Sequence, residues 1–197
     1  MEQIARPEAG PGTRWNELEL ETARLYQEYA AGLLRYAATL ARSQDGAGDA
    51  VQETFLRYFV ERRCGRIVGQ PRAWLYQVLR NYLLDRLKTS ASKQEVVSQD
   101  IDDLPDLQQD PEEQLARRQM TRQFAAALTD RELDCLRLRG AGLSYGEIAG
   151  VMGIREGTVG AFMARVHRKL EQAAGEKAVL RLGTEEAIRS LFLGADA

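Results

Sequence analysis

"LSYGEIAGVMGIREGTVGAFMARVHRKL", Leu143 to Leu170, is the stretch that decides how this 197-residue chain folds. Ser144 and Glu147 stand three residues apart at its start, the capping-box spacing that opens a helix. Gly153 tolerates a positive φ and so can turn the chain sharply after that helix. Val159, Met163, Val166 and Leu170 then recur at three- and four-residue spacing, the stripe of a second helix buried along one face. Ala149 is small where two helices joined this way would cross, and Ile148, Met152 and Ile154 add core positions. These features describe a helix-turn-helix, whose second helix enters the major groove of DNA. A helical hairpin that merely packs is the plainer reading. The outward face of the second helix holds Gly157, Gly160, Ala161, Ala164, Arg165 and Arg168. Small side chains cannot form the bidentate hydrogen bonds that separate one base from another by ~1–3 kcal/mol each. Arg165, Arg168 and Lys169 are placed to reach phosphates.

Upstream, Thr129 and Glu132 repeat the capping box, and Asp110 with Pro111 and Glu113 offers another helix start. Together they define an all-helical domain over residues 111–173. Before it, residues 91–110 are rich in Ser, Gln and Asp without periodicity and are expected to be a flexible linker. A first domain over residues 15–90 is also helical. Tyr26, Tyr29, Leu33, Ala37 and Leu40 mark a long helix, and Val51, Phe55 and Phe59 a second one starting near Asp49. Gly46 and Gly48 are expected to form the turn before it. A third, "PRAWLYQVLRNYLLDRLK" (71–88), opens on Pro71, favoured at the first helical position. Leu75, Val78, Leu79, Tyr82 and Leu83 cover one side of it. Trp74, Gln77, Asn81, Asp85 and Lys88 form a stripe on another. Residues 1–14 read as a loose leader. Residues 174–197 form an extension with a weak amphipathic helix, which folds back, binds a regulator or stays loose. No β-rich segment is visible, so the fold class is all-α: two small helical domains joined by a flexible acidic linker.

Charge is segregated. Seven basic residues (Arg62, Arg63, Arg66, Arg72, Arg80, Arg86, Lys88) lie between Glu61 and Lys88, against two acids. Eight acids and no Lys or Arg lie between Glu95 and Glu113. A formal charge of −2 therefore conceals a basic block beside an acidic one. Two distant cysteines exclude a disulfide framework and fit a reduced cytoplasmic setting. No signal peptide or membrane span is visible. A single His, no nucleophile–base pair, no phosphate-binding Gly loop and no metal-ligand spacing argue against an enzyme and against a cofactor. His167, inside a basic helix, reads as a phosphate-side or solvent residue.

Three stretches, taken in order, resemble the bacterial RNA polymerase sigma factors of the sigma-70 family, specifically the extracytoplasmic-function (ECF) group. "DAVQETFLRYF" (49–59) is similar to the family's helix that docks on the clamp helices of the polymerase β′ subunit. The 71–88 helix is similar to the one that binds the −10 promoter element. Residues 128–170 are similar to the −35-binding domain. The resemblance covers about residues 20–172. It implies a promoter-specific initiation factor whose partners are core RNA polymerase (β′ clamp helices and β flap), promoter DNA and an anti-sigma protein. It implies polymerase contacts at Asp49, Gln52, Glu53, Phe55 and Arg57. It implies −10 contacts at Arg62, Arg63, Arg66, Trp74, Gln77, Arg80, Asn81 and Lys88, with a flipped base held by the loop from Arg62 to Gln70. It implies −35 contacts at Ser144, Tyr145, Arg155, Thr158, Gly160, Ala161, Arg165, Arg168 and Lys169. The linker would thread polymerase channels as a mimic of nucleic acid.

Plainer readings stand beside these. Trp74 suits a core rim, Arg80 could pair with Asp85, and the arginines could be a solvated face. The chain departs from the family pattern at Arg155, where a Ser cap is common, and at Gly160-Ala161-Phe162, where a basic or polar trio is common. Gly46 and Gly48 thin out an acidic position. A −35 contact that is phosphate-led and weakly selective is expected. A stand-alone helix-turn-helix regulator is the alternative, and it leaves the 49–59 helix without a role.

Overall fold

The computed structural model describes residues 11–41, 44–91 and 125–174, which form helices joined by short turns, with no strand among the described residues. The elements are α1 (Pro11–Ala38), α2 (Gln44–Arg63), α3 (Pro71–Ala91), α4 (Asp130–Gly140), α5 (Tyr145–Met152) and α6 (Glu156–Ala174). The leader's last four positions, 11–14, are already helical, because a proline can begin a helix without losing a hydrogen bond. α2 starts five residues ahead of Asp49, and Gly46 and Gly48 lie inside it rather than in the preceding turn. Ala47 and Ala50 are 3 % and 0 % exposed, so packing holds the first turns helical despite two glycines that disfavour helix by ~1 kcal/mol each. Ala91, the first position of the expected 91–110 linker, is the last residue of α3; the rest of that segment, the Asp110 helix start and the extension beyond Ala174 lie outside the described residues.

The first three helices enclose a core of Leu33, Tyr36 and Ala37 from α1, Val51 and Tyr58 from α2, and Leu75, Leu79 and Leu83 from α3. Thr54 is fully buried and its hydroxyl donates to the Ala50 carbonyl at 2.8 Å, leaving no hydroxyl donor unmet. Glu21 accepts from both the Tyr58 hydroxyl and the Arg62 guanidinium, tying α1 to the end of α2. The Arg62 bond holds the Glu21 carboxyl below the usual carboxylate range. Burial, with Glu21 alongside, pushes the Tyr58 phenol up to about 12.

The second domain forms as its caps foretell. Thr129 and Glu132 complete the capping box of α4, and Ser144 and Glu147 that of α5. α5 ends at Gly153 with φ 65°, a left-handed conformation that glycine adopts without the Cβ clash of other residues. Ala149 is buried at the crossing, and Val159 anchors α6 at 0 % exposure. Leu128, Leu133, Leu136, Val166 and Leu170 close a small second core.

The two domains do not stand apart. Leu138, Leu143, Ile148 and Val159 belong to the same buried cluster as Leu33, Tyr36, Leu75 and Tyr76, and α3 packs on α5. Within that seam, Tyr36 stands edge-on to Tyr76 at 5.5 Å between ring centroids. The seam is also polar. Asp134 of α4 accepts from the Tyr36 hydroxyl at 2.9 Å and from Arg80 Nε at 2.6 Å. Arg72 Nη2 donates to the Ala141 carbonyl at 3.1 Å, and its Nη1 lies 3.8 Å from Glu147. Gly142, at φ 83°, fits beneath Arg72, whose Nη2 would be 3.1 Å from any Cβ there.

Candidate nucleic-acid and polymerase surfaces

α3 divides its residues sharply. Leu75, Tyr76, Leu79 and Leu83 face the core, while Asn81 is exposed and Gln77 and Trp74 are half-buried beside it. Trp74 packs edge-on against Tyr58, with ring centroids 5.6 Å apart, so it is a core-rim residue with one accessible side. With Val78 and Asn81 it lines an open groove shared with Glu53, Leu56, Arg57, Val60 and Glu61 of α2. The groove combines an indole, a primary amide and a guanidinium, the groups that stack on and hydrogen-bond to an unstacked base.

The basic block is mostly paired. Arg62 grips Glu21, Arg66 bridges Glu61 at 2.7 Å, and Lys88 lies 3.4 Å from Asp85. Arg86 sits over the Tyr82 ring and donates to its hydroxyl. Solvent screens exposed pairs of this kind, so phosphates can compete for these cations. Arg80 is different. The anticipated Arg80–Asp85 pair does not form, because Arg80 points the other way, into the seam. There the Arg80 side chain is 18 % and the Asp134 side chain 9 % exposed. In this arrangement Arg80 is withdrawn from the Asn81 stripe. The loop between α2 and α3 is braced from behind: Arg62 Nη1 donates to the Arg66 carbonyl, and Val68 packs on the core. Ile67 at its tip is 88 % exposed.

On α2, Asp49, Gln52 and Arg57 are exposed and Glu53 partly so, with Arg57 and Glu53 paired at 2.7 Å. Phe55 does not share that surface. It is 6 % exposed beneath Tyr26, whose ring centroid lies 5.0 Å away, because it sits on the inward stripe of the helix. Leu56 and Val60, 57 % and 46 % exposed and one turn apart, are the apolar residues that α2 does present. The sequence reading missed both, since an aromatic at Phe55 is the stronger periodic signal.

In the second domain Gly157, Ala161, Ala164 and Arg168 are exposed along α6, and Gly160 and Thr158 are partly so. Phe162 is buried rather than outward, at 9 % exposure, with Arg165 over its ring at 5.0 Å. Arg165 Nε donates to Glu132 at 2.9 Å, and Lys169 Nζ to the same carboxylate at 2.7 Å and to the Ala127 carbonyl. Two of the three cations expected to reach phosphates therefore also bind α6 to the start of α4. Glu132 is 3 % exposed in its side chain. Burial alone would raise its carboxyl, but bonds from Lys169, the Thr129 backbone and Arg165 outweigh this and hold it at about 2.

The remaining candidates divide by role. Ser144 is committed to its cap, its hydroxyl bonded to both the backbone and carboxylate of Glu147. Tyr145 is exposed at the start of α5, with Arg139 stacked 5.6 Å from its ring. Arg155 immediately precedes α6 and is exposed. Its guanidinium has no acceptor with which to cap, so the carbonyl alone serves the Thr158 and Val159 amides. His167 pairs with Glu171 at 3.0 Å on the solvent side. Among the described residues, no group of three or more His, Cys, Asp or Glu could hold a metal, and no helix is long and apolar enough to cross a membrane.

Known proteins match both halves. Residues 25–93 match the model for Sigma-70 region 2, and residues 126–182 that for bacterial regulatory proteins of the luxR family. Over 161 residues the chain is 33% identical to the ECF RNA polymerase sigma factor SigL of Mycobacterium tuberculosis, spanning 80% of this chain and 90% of that one. It is 30% identical over 177 residues to the ECF RNA polymerase sigma factor BldN of Streptomyces coelicolor, covering 86% of this chain and 64% of BldN's length. Two solved structures share the fold. The sigma factor RpoE of Bartonella quintana, in complex with the anti-sigma factor NepR, aligns with TM-score 0.59 at 21% identity over 77% of this chain and 96% of its own. CnrH, in complex with the cytosolic domain of CnrY, aligns with TM-score 0.55 at 18% identity over 87% and 96%.

Proposed function

The chain belongs to the ECF RNA polymerase sigma factors, and from that premise we propose that it binds core RNA polymerase and directs promoter-specific initiation of transcription in the cytoplasm, as a binding factor and not an enzyme. The observation that carries this is the pairing, on one chain, of the Trp74–Gln77–Asn81 stripe with a helix-turn-helix. α2 engages the polymerase clamp helices through Asp49, Gln52, Glu53 and Arg57, with Leu56 and Val60 as the apolar part of the contact. The α2–α3 groove and the 64–70 loop hold the −10 strand once it unpairs: Trp74 offers a ring edge, Asn81 and Gln77 offer amides, and Arg62, Arg63, Arg66 and Lys88 draw in phosphates. α6 enters the major groove at −35. Its Gly160 and Ala161 allow close approach without reading base edges, so that contact is led by Arg168 and Arg155 and is weakly selective. An anti-sigma protein is a further partner, as NepR is for the structural relative RpoE.

Reconstituted transcription with purified core polymerase on a genomic promoter library tests the reading. Specific transcripts that depend on this chain are expected. Asn81→Ala and Trp74→Ala should reduce open-complex formation at least tenfold while leaving co-elution with core polymerase intact. A chain that binds promoter fragments alone and never co-elutes with core polymerase would instead be the stand-alone regulator that the luxR-type match of its second half allows.

A further inference from the structure

One carboxylate on α1, Glu21, is joined to both sides of the groove beside Trp74. Its Oε1 accepts from the Tyr58 hydroxyl at 2.5 Å and from Arg62 Nε at 3.0 Å, and its Oε2 accepts from Arg62 Nη2 at 3.0 Å. Each partner leads onward to a different wall. Tyr58 is wholly buried, and Trp74 packs edge-on against its ring at 5.6 Å between centroids. Arg62 gives its third nitrogen, Nη1, to the Arg66 carbonyl at 3.2 Å. That carbonyl belongs to the short loop that follows the left-handed turn at Gly65, φ 79°. The Arg66 side chain in turn bridges Glu61, which lines the groove with Trp74 and Asn81.

These bonds are directional. A guanidinium is planar, so a carboxylate bound to both Nε and Nη2 fixes the plane and with it the direction of Nη1. Without that carboxylate the long Arg62 side chain regains its rotamers, and the Arg66 carbonyl loses an orienting donor. The Tyr58 hydroxyl would lose its acceptor as well. The loop has few other anchors: Val68 packs on the core, whereas Cys64, Ile67, Gly69 and Gln70 are exposed. Glu21 itself precedes residues 25–93, the stretch that matches Sigma-70 region 2. The Arg62 bond keeps its carboxyl below the usual carboxylate range, so it is charged at neutral pH. A carboxylate repels phosphate, so any influence on a promoter runs through Tyr58 and Arg62.

We infer that Glu21 is a positioning residue for promoter opening: through Arg62 it sets the loop that receives an unpaired −10 base, and through Tyr58 it sets the Trp74 ring beside that base. This rests on the reading of the α2–α3 groove and the 64–70 loop as the −10 site. Arg62 then serves chiefly as a brace, with only part of its guanidinium left for a phosphate. Preorganisation is the physical gain. A base that leaves its stack needs a pocket already formed, because ordering a loop at that moment would subtract from the binding that opening depends on. Both walls lead back to one carboxylate, so its removal loosens both at once.

Holoenzyme reconstituted from core polymerase and the full chain tests this. The template is a promoter with one abasic site, moved a position at a time through the −10 non-template strand. With the wild type, at least one position should cost open-complex formation about tenfold, the loss expected for one stacked base. Glu21→Gln keeps the side chain's shape and removes its charge. It should slow opening of the intact promoter about fivefold and shrink that abasic penalty to about twofold, with co-elution with core polymerase unchanged. A carboxylate that only stabilised the fold would lower both templates by the same factor, so a penalty that stays near tenfold overturns the inference and leaves the −10 reading standing. Arg62→Gln should shrink the penalty at the same position, and the double variant should add nothing further; additive losses overturn the inference too. If one variant loses its helical signal, the other still decides. Tyr58→Phe reports on the other wall. In a Trp15→Phe background Trp74 is the sole tryptophan, and both Tyr58→Phe and Glu21→Gln should raise its quenching by acrylamide in the free chain. Unchanged quenching in both refutes the link from Glu21 to Trp74. A chain that never opens a promoter, or a wild type indifferent to every abasic site, refutes the −10 reading and the inference with it.

Discussion

Two carboxylates, Glu132 and Asp134, stand two positions apart on α4 and serve opposite ends. Glu132 turns inward to its own domain, taking Arg165 and Lys169 from α6 and completing the cap of α4. Asp134 turns outward and takes Tyr36 and Arg80 from the other domain. Each is buried and each is bonded twice by side chains, so neither is a better ion pair by inspection. The difference lies in what happens when the bonds break. Glu132 cannot be released without unfolding the helix-turn-helix, whereas Asp134 and its partners can all be hydrated by a rigid separation of domains. Equal burial therefore staples one domain internally in one place and docks two domains on each other in the other.

The strongest way to test that contrast is Glu132→Gln. Breaking a fully buried pair costs ~3–5 kcal/mol, but Arg165 and Lys169 keep partial access to water, so a loss of about 2–3 kcal/mol in urea unfolding of the second domain is expected. A change within about 0.5 kcal/mol, the range of ordinary surface substitutions, would show that α6 is held without this carboxylate. Acid should reveal the same group. Its folded value of about 2 lies below the ordinary 4.5, so its stabilisation is fully present above pH 4.5 and disappears as pH falls from there toward 2. Urea midpoints measured down through that window should fall steeply for the wild type and less steeply for Glu132→Gln.

Gly153→Ala should cost about 1–2 kcal/mol, because a Cβ strains the left-handed turn at φ 65° although space around it is open. Asp134→Asn should behave unlike all of these. Its helical signal should stay while small-angle scattering shows a radius of gyration larger than that of the wild type. Loss of helix with no expansion would place Asp134 beside Glu132 as a staple. The smallest effect concerns DNA. Arg168→Ala should weaken −35 binding almost uniformly across sequences and reduce the salt slope by about one.

Much of this was readable in advance because it is local. The capping boxes at Thr129 and Ser144, the turn at Gly153 and the apolar stripe through Val159 and Val166 depend on residues within a few positions of one another, and all appear as expected. Gly46 and Gly48 favour a turn by local propensity, but α2 begins at Gln44 because burial of Ala47 and Ala50 in the core outweighs a preference that no window along the chain can balance. Phe55 lies buried, apart from the exposed Asp49, Gln52 and Arg57, for a related reason. An aromatic on a helix suits a core or an interface equally well until its neighbour, here Tyr26, is known.

Charge was the least legible property. A count of cations between Glu61 and Lys88 suggests a free basic face, yet Arg62 and Arg80 answer carboxylates 41 and 54 residues away. Sequence by itself determined the all-helical class, the helix-turn-helix and the family, since these follow from periodicity, caps and ordered motifs within short spans. Only the tertiary structure decided that Arg80 faces Asp134 rather than Asp85, that Arg165 and Lys169 share Glu132, and that the domains dock through one apolar seam. Such pairings depend on which distant surfaces meet, and pair energies in a shielded seam far exceed those of the same charges in water.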